Sequence, residues 1–176
     1  MQTENPVSNA EMRALLDKQA ISEALYTYCR AVDRADHELG YSVWHDDAEA
    51  DYGSIYKGTG RGAMGYICDS SLKGIVHSHQ ITNILIELDS DRALSEAYVT
   101  SAMRMMHDGQ LMQINTRGRY LDRWTRQDGR WLIIRRVFAH DLDEIRAVTP
   151  GYITPTFTLD RNDPSYALFE GGHGKG

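Results

Sequence analysis

The sequence predicts an α+β domain, and three observations carry that prediction. Helical periodicity is confined to the first part of the chain, alternating β-branched segments fill the later part, and Asp-Gly turns join those segments. A chain of 176 residues suits one domain. The domain is expected to span residues 1–147, followed by an extended C-terminal arm, residues 148–176, with a disordered tip.

The first helix is announced by Ser8-Asn9-Ala10-Glu11, a capping-box pattern. Apolar residues then recur at Leu15, Ile21, Leu25, Tyr28 and Val32, close to the spacing of an amphipathic helix. This predicts a helix from about Ala10 to Asp36, with room for one break near Asp17. A shorter helical stretch from His37 to Trp44 runs into the acidic HDDAEADYG. Gly58-Thr59-Gly60 then leads to a third helix, Ala63 to Leu72.

From His77 the pattern becomes that of strands. ILIELDSDRALSEAYV reads as two strands joined at Asp89-Ser90-Asp91. His107-Asp108-Gly109 joins Tyr98–Met106 to Leu111–Trp124, and Gln127-Asp128-Gly129 leads into RWLIIRRVFAHD. Helices first and an antiparallel meander after give helices packed on one face of a sheet. The tail from Val148 holds three of the four prolines and has no clear periodicity.

Composition narrows the partners. A formal charge of −6 argues against nucleic acid, and the late arginines (Arg117, Arg119, Arg123, Arg126, Arg130, Arg135, Arg136) alternate across two strand faces instead of forming one stripe. No apolar run is long enough for a membrane span, and the first residues lack the regions of a signal peptide, so a cytoplasmic location is expected. Cys29 and Cys68 lack a CxxC partner and are expected as reduced thiols.

Three ionisable groups sit where the apolar pattern does not want them. Asp33 lies beside the Leu25–Tyr28–Val32 stripe, His79 opens the strand GIVHSHQITNILIEL, and Arg136 shares parity with Leu132, Ile134 and Phe138. A charge on an apolar face must be paired or must line a wet cavity. Each has a bland alternative: a solvated helix end, a satisfied histidine, a snorkelling arginine. Taken together, a helix-borne carboxylate beside a strand-borne imidazole makes a dyad able to abstract a proton. An arginine opposite would stabilise developing negative charge. His77 shares the parity of His79, so position alone does not choose between the two imidazoles. His77 and His79 with His45, Asp46 or Asp47 offer metal donors, but no HExxH or Cys/His spacing accompanies them, and no metal is expected. No GxSxG, phosphate loop or dinucleotide fingerprint occurs, so no cofactor is expected.

Four segments, AISEALYTYCRAVDRAD, SVWHDDAEADYG, HQITN and RYLDRWTRQDGRWLIIRRV, together resemble the SnoaL-like branch of the nuclear transport factor 2-like superfamily over about Asp17 to Asp141. The resemblance implies a cone-shaped α+β barrel, a curved antiparallel sheet wrapped around the N-terminal helices. Within the superfamily the sequence is most similar to scytalone-type dehydratases and hexachlorocyclohexane dehydrochlorinase. That similarity implies a catalytic pair of Asp33 and His79, with Arg136 on the last long strand. Tyr28 stands where the dehydrochlorinase type has a lysine, which suits a leaving hydroxyl or a phenolic substrate better than chloride. Trp44, Tyr52, Asn83 and Arg104 are the expected substrate-binding positions. The expected activity is a cofactor-independent, dehydratase-like lyase acting on a small hydrophobic or aromatic compound. Release of a fragment such as formaldehyde from a lignin-type diaryl alcohol, ketosteroid-type isomerisation and non-catalytic binding are the alternatives. A homo-oligomer is expected, a trimer before a dimer.

Overall fold

The computed structural model describes residues 7–171. Its first element, α1 (Asn9–Asp33), is one unbroken helix. Ser8 closes a capping box with Glu11: the Glu11 N–H donates to Ser8 Oγ, and the Ser8 N–H donates to the Glu11 carboxylate. The break expected near Asp17 is absent because that carboxylate is taken up elsewhere. It accepts hydrogen bonds from Arg126 Nη1 at 2.9 Å and Trp131 Nε1 at 3.0 Å, clamping α1 to the sheet. Ile21, Leu25, Tyr28 and Val32 form the buried stripe.

Beyond the end of α1 the chain turns at Ala35, which adopts a left-handed φ of 50°, and Asp36 then caps α2 (His37–Tyr41) by accepting from the Leu39 N–H. α2 is shorter than the predicted stretch to Trp44. The residues read as an acidic helix end are instead a strand, β1 (Trp44–Asp51), followed by β2 (Lys57–Thr59). Trp44, Ala48 and Ala50 point inward while Asp46, Asp47 and Glu49 face out. α3 (Gly60–Ser71) follows directly, capped by Thr59. It starts at a glycine because a Cβ at Gly60 would lie 2.2 Å from the Trp44 indole.

The long strands are β3 (Val76–Asp89), β4 (Arg92–His107), β5 (Gln110–Gln127) and β6 (Arg130–Ala147). The turns before β5 and β6 are the predicted ones; Asp108-Gly109 and Asp128-Gly129 all have positive φ, as two-residue hairpins require. The six strands run in the order β2-β1-β6-β5-β4-β3 in one curved sheet that does not close. β1 joins β6 in parallel, the one departure from the expected antiparallel meander. The core lies between the concave face and the helices α1 and α3.

β3 carries a bulge between Thr82 and Leu85, with Asn83 at φ 48°. Before it His77, His79 and Ile81 are half-buried; beyond it the inward residues become Ile84, Ile86 and Leu88. One extra residue shifts the parity and bends the strand around the cavity.

The segment after Ala147 is not extended throughout. It ends in a further helix, α4 (Pro164–Gly171), packed against the end of α1. Residues 172–176, the expected disordered tip, lie outside the described residues.

Candidate active site

A cavity of about 330 Å³ opens between α1, α3 and the concave face of the sheet. Its apolar wall includes Val32, Ile67, Val99, Met103, Ile114 and Phe138. Its polar groups are His77 and His79 from β3, Tyr28 from α1, Tyr52, Tyr66, Tyr120, Ser70, Ser101 and Thr116. A mostly apolar chamber with a few converging polar groups suits a small organic ligand.

Asp33 is the last residue of α1, and its carboxylate reaches β3. The His79 N–H donates to Oδ2 at 2.9 Å, and His79 Nδ1 lies 2.6 Å from Oδ1. Both side chains are mostly buried, with 13% and 14% of their surfaces accessible. A carboxylate can only accept here, so the network assigns the ring proton to Nδ1 and leaves the lone pair on Nε2.

His77 is held differently. Ser71 Oγ donates to the Ile67 carbonyl at 3.0 Å, so the 3.2 Å contact between Ser71 Oγ and His77 Nδ1 has the ring as donor. Burial, then the neighbouring His79, push the His77 pKa down, against the pull of Asp33. Its Nε2 is enclosed by protein and meets no hydrogen-bond partner within the described residues.

The cavity floor is a cluster of phenols. The Tyr28 and Tyr52 hydroxyls lie 2.7 Å apart, and Tyr120 packs edge-on to Tyr28 at 5.6 Å. Burial pushes all three phenols above the ordinary tyrosine range, with Arg136 pulling the other way. They are therefore neutral donors. The Tyr28–Tyr52 hydrogen bond uses one hydroxyl proton of the pair and leaves the other to donate.

Arg136 does not line the cavity. It is fully buried beneath the phenols, its Nε and Nη2 donating to the two oxygens of Asp122 at 2.8 and 2.7 Å. Its guanidinium carbon sits 4.0 Å from the Tyr120 ring centre and 4.3 Å from that of Tyr28. Trp44 is also core: it is 2% exposed, edge-on to Tyr28, with Arg136 over its ring. Asn83 is exposed at the bulge, and Arg104 donates to Gln113 on the neighbouring strand; neither lines the cavity. Of the expected site residues, Asp33, His79, Tyr28 and Tyr52 converge, and Arg136 and Trp44 support them from behind.

Sequence reasoning missed Asp122, Tyr120 and Phe138. Tyr120, Asp122 and Trp124 alternate on the buried side of β5, so an acid inside an aromatic run was a legible sign of a partner for Arg136. Gly118 leaves room for Phe138: a Cβ there would meet its ring at 2.6 Å.

Among the described residues no group of three or more His, Cys, Asp or Glu side chains could hold a metal ion, and no helix is long and apolar enough to cross a membrane.

Residues 13–137 match the profile of the SnoaL-like domain. The chain belongs to the SnoaL-like family. Solved structures share this fold. A candidate scytalone dehydratase from Novosphingobium aromaticivorans is 22% identical, with a TM-score of 0.67 over 81% of this chain and 97% of that one. Hexachlorocyclohexane dehydrochlorinase LinA-type3 from Novosphingobium barchaimii LL02 is 18% identical, with a TM-score of 0.69 over 82% and 99%. An NTF2-like protein with a cystatin-like fold, also from N. aromaticivorans, is 20% identical, with a TM-score of 0.60 over 78% and 92%. No curated protein matches the sequence.

Proposed function

We propose that the chain is a cofactor-independent lyase that removes water from a small, largely apolar ring compound. The observation that carries this reading is His79 in the wall of a mostly apolar cavity, with Asp33 behind it at 2.6 Å from its Nδ1. Asp33 fixes the Nδ1–H tautomer and stabilises the imidazolium that forms, so His79 Nε2 acts as base. His77 is the weaker candidate, because its ring is held by a neutral hydroxyl and its Nε2 is enclosed.

In the reaction, His79 takes a proton from a carbon next to an electron-withdrawing group. The C–H electron pair becomes the new C=C bond, and the C–O bond to the leaving hydroxyl breaks. The free phenol proton of the Tyr28–Tyr52 pair donates a hydrogen bond to a substrate oxygen. The proton on His79 then passes to the departing hydroxide, and water leaves. Names of structural neighbours, a candidate scytalone dehydratase and a dehydrochlorinase, accord with elimination chemistry. A phenol carries no charge to draw off chloride, which favours loss of water.

The test is turnover of a panel of cyclic β-hydroxy ketones, followed by absorbance of the conjugated product. His79→Ala is expected to lower kcat by roughly 10²–10⁴-fold. Equal turnover in the variant and the parent protein rejects the reading. A product with the double bond moved and the proton returned to another carbon, without loss of water, would assign the site to isomerisation.

A further inference from the structure

The polar groups that hold α4 are not part of the cavity, yet they lie on either side of Asp33, the partner of the proposed base. Arg30 in the last turns of α1 donates to Ser165 Oγ at 3.0 Å and stacks on Tyr166 and Phe169, 5.0 and 5.1 Å from the ring centres. Arg34, the C-cap of α1, donates to the backbone carbonyl of Asp33 at 3.2 Å and pairs with Asp163 at 3.7 Å. Tyr166 donates to Asp36, the cap of α2, at 2.7 Å. The C-terminal segment thus grips the chain at Arg30 and Arg34, on either side of Asp33, and at Asp36 beyond Ala35.

That grip is built into the fold. Asp163 is 5% exposed and Tyr166 7%. Asp163 accepts from the Thr158 N–H and from both the N–H and the hydroxyl of Ser165, closing the turn that presents α4. The segment also lies past residue 137, where the SnoaL-like match ends. About four-fifths of this chain already covers nearly the whole of each dehydratase- or dehydrochlorinase-type neighbour. The fold shared with those neighbours is therefore nearly complete without the remaining fifth.

We infer that residues 157–171 are a strap that positions Asp33 against His79, with Asp163, Tyr166 and Arg34 as positioning residues. α1 ends at Asp33 in a closed turn, with the Asp36 N–H donating to the Ala31 carbonyl at 2.9 Å, and the contacts of the Asp33 carboxylate come from β3. The strap braces that turn from outside through Arg34 and Asp36. It acts through the end of α1 and touches no atom of a ligand in the cavity. An outer groove lined by Arg30, Asp33, Arg34, His79 and Phe169 places the strap and the two faces of the dyad side by side.

The inference rests on the lyase reading for its kinetic consequence, but not for its structural one. The full-length variants Asp163→Asn, Tyr166→Phe and Arg34→Gln test both. The His79 Nδ1 proton, held against a carboxylate, is expected as a downfield imidazole N–H signal in proton NMR. Its assignment is checked by its loss in Asp33→Ala. In the strap variants that signal weakens and exchanges faster with solvent, while far-UV circular dichroism stays that of the parent. kcat on any substrate found falls by roughly 10-fold or more with KM little changed, because orientation and not binding is lost. Arg34→Lys, which keeps the charge toward Asp163, restores part of the signal. An undiminished N–H signal in all three variants overturns the strap. A weakened signal with no lyase turnover by the parent protein leaves the strap standing and removes the lyase reading instead.

Discussion

Both oxygens of Asp33 are committed to a single residue: one accepts from the backbone N–H of His79, the other faces its Nδ1. The first contact fixes where β3 passes the end of α1, and the second fixes how the ring is turned. A carboxylate serves both because each contact asks only for an acceptor.

Asp33→Asn breaks that symmetry. The amide offers one oxygen and one NH₂, so one of the two donors of His79 meets another donor. If the ring yields, its proton moves to Nε2, the atom that must be free to act as base. The expected outcome is a loss of roughly 10²–10⁴-fold in kcat, with the affinity for an apolar ring ligand unchanged. Single-turnover kinetics beside fluorescence titration of the ligand separates the two quantities.

The phenol floor gives a pH prediction. Burial, with Tyr52 and Tyr120 close by, pushes Tyr28 far above the usual range, and burial raises Tyr52 and Tyr120 as well. An unfolded chain releases these protons near pH 10, while the folded chain keeps them. Above about pH 10 the unfolded state therefore binds fewer protons, and stability declines as pH rises. Of the ten tyrosines, these three are expected to ionise only as the chain unfolds. Tyrosinate absorbance and circular dichroism recorded through the same alkaline titration would show the last ionisations coinciding with loss of structure.

The helices and hairpins were legible because capping chemistry and Asp-Gly turns are local. So was the oddity of Asp33, His79 and Arg136, each a charge on an apolar stripe. β1 was missed because Ala48 and Ala50 fill its inward positions and Asp46, Asp47 and Glu49 its outward ones, a composition poor in strand formers. Its place is secured by β6 and α3. The helix α4 was missed for a related reason: the aromatic residues that stack on Arg30 and Arg34 lie more than 120 positions away in the chain. Asn83, four residues beyond His79, would share its face only on a regular strand. The apolar residues themselves change parity between Ile81 and Ile84, which was the available sign of a bulge.

That bulge makes a separate prediction. Asn83 sits at φ 48°, a conformation that asparagine tolerates and β-branched residues resist. Asn83→Val is expected to destabilise the fold by about 1–2 kcal/mol, and Asn83→Gly to match or exceed the parent. Urea denaturation of the three proteins checks the order. A valine variant as stable as the parent would mean that the bulge can relax.

Arg136 and Asp122 make the largest stability claim. Neither side chain is exposed, and each meets the other through two hydrogen bonds. Removing one partner strands a charge, since the guanidinium does not lose its proton. Asp122→Asn or Asp122→Leu should cost about 3–5 kcal/mol. Removing both need not: a buried pair has already lost its hydration, and apolar side chains of similar volume repack at little net cost. Asp122→Leu combined with Arg136→Met is therefore expected to be far more stable than Asp122→Leu alone. With Arg136→Met alone added, the two single variants, the double variant and the parent protein form a thermodynamic cycle whose coupling energy is read from denaturant midpoints. Because the pair lies under Tyr28 and Tyr120 and outside the cavity, the double variant should retain ligand binding while kcat falls if the guanidinium steadies the phenols. Full kcat in a stable double variant would assign the pair to folding alone.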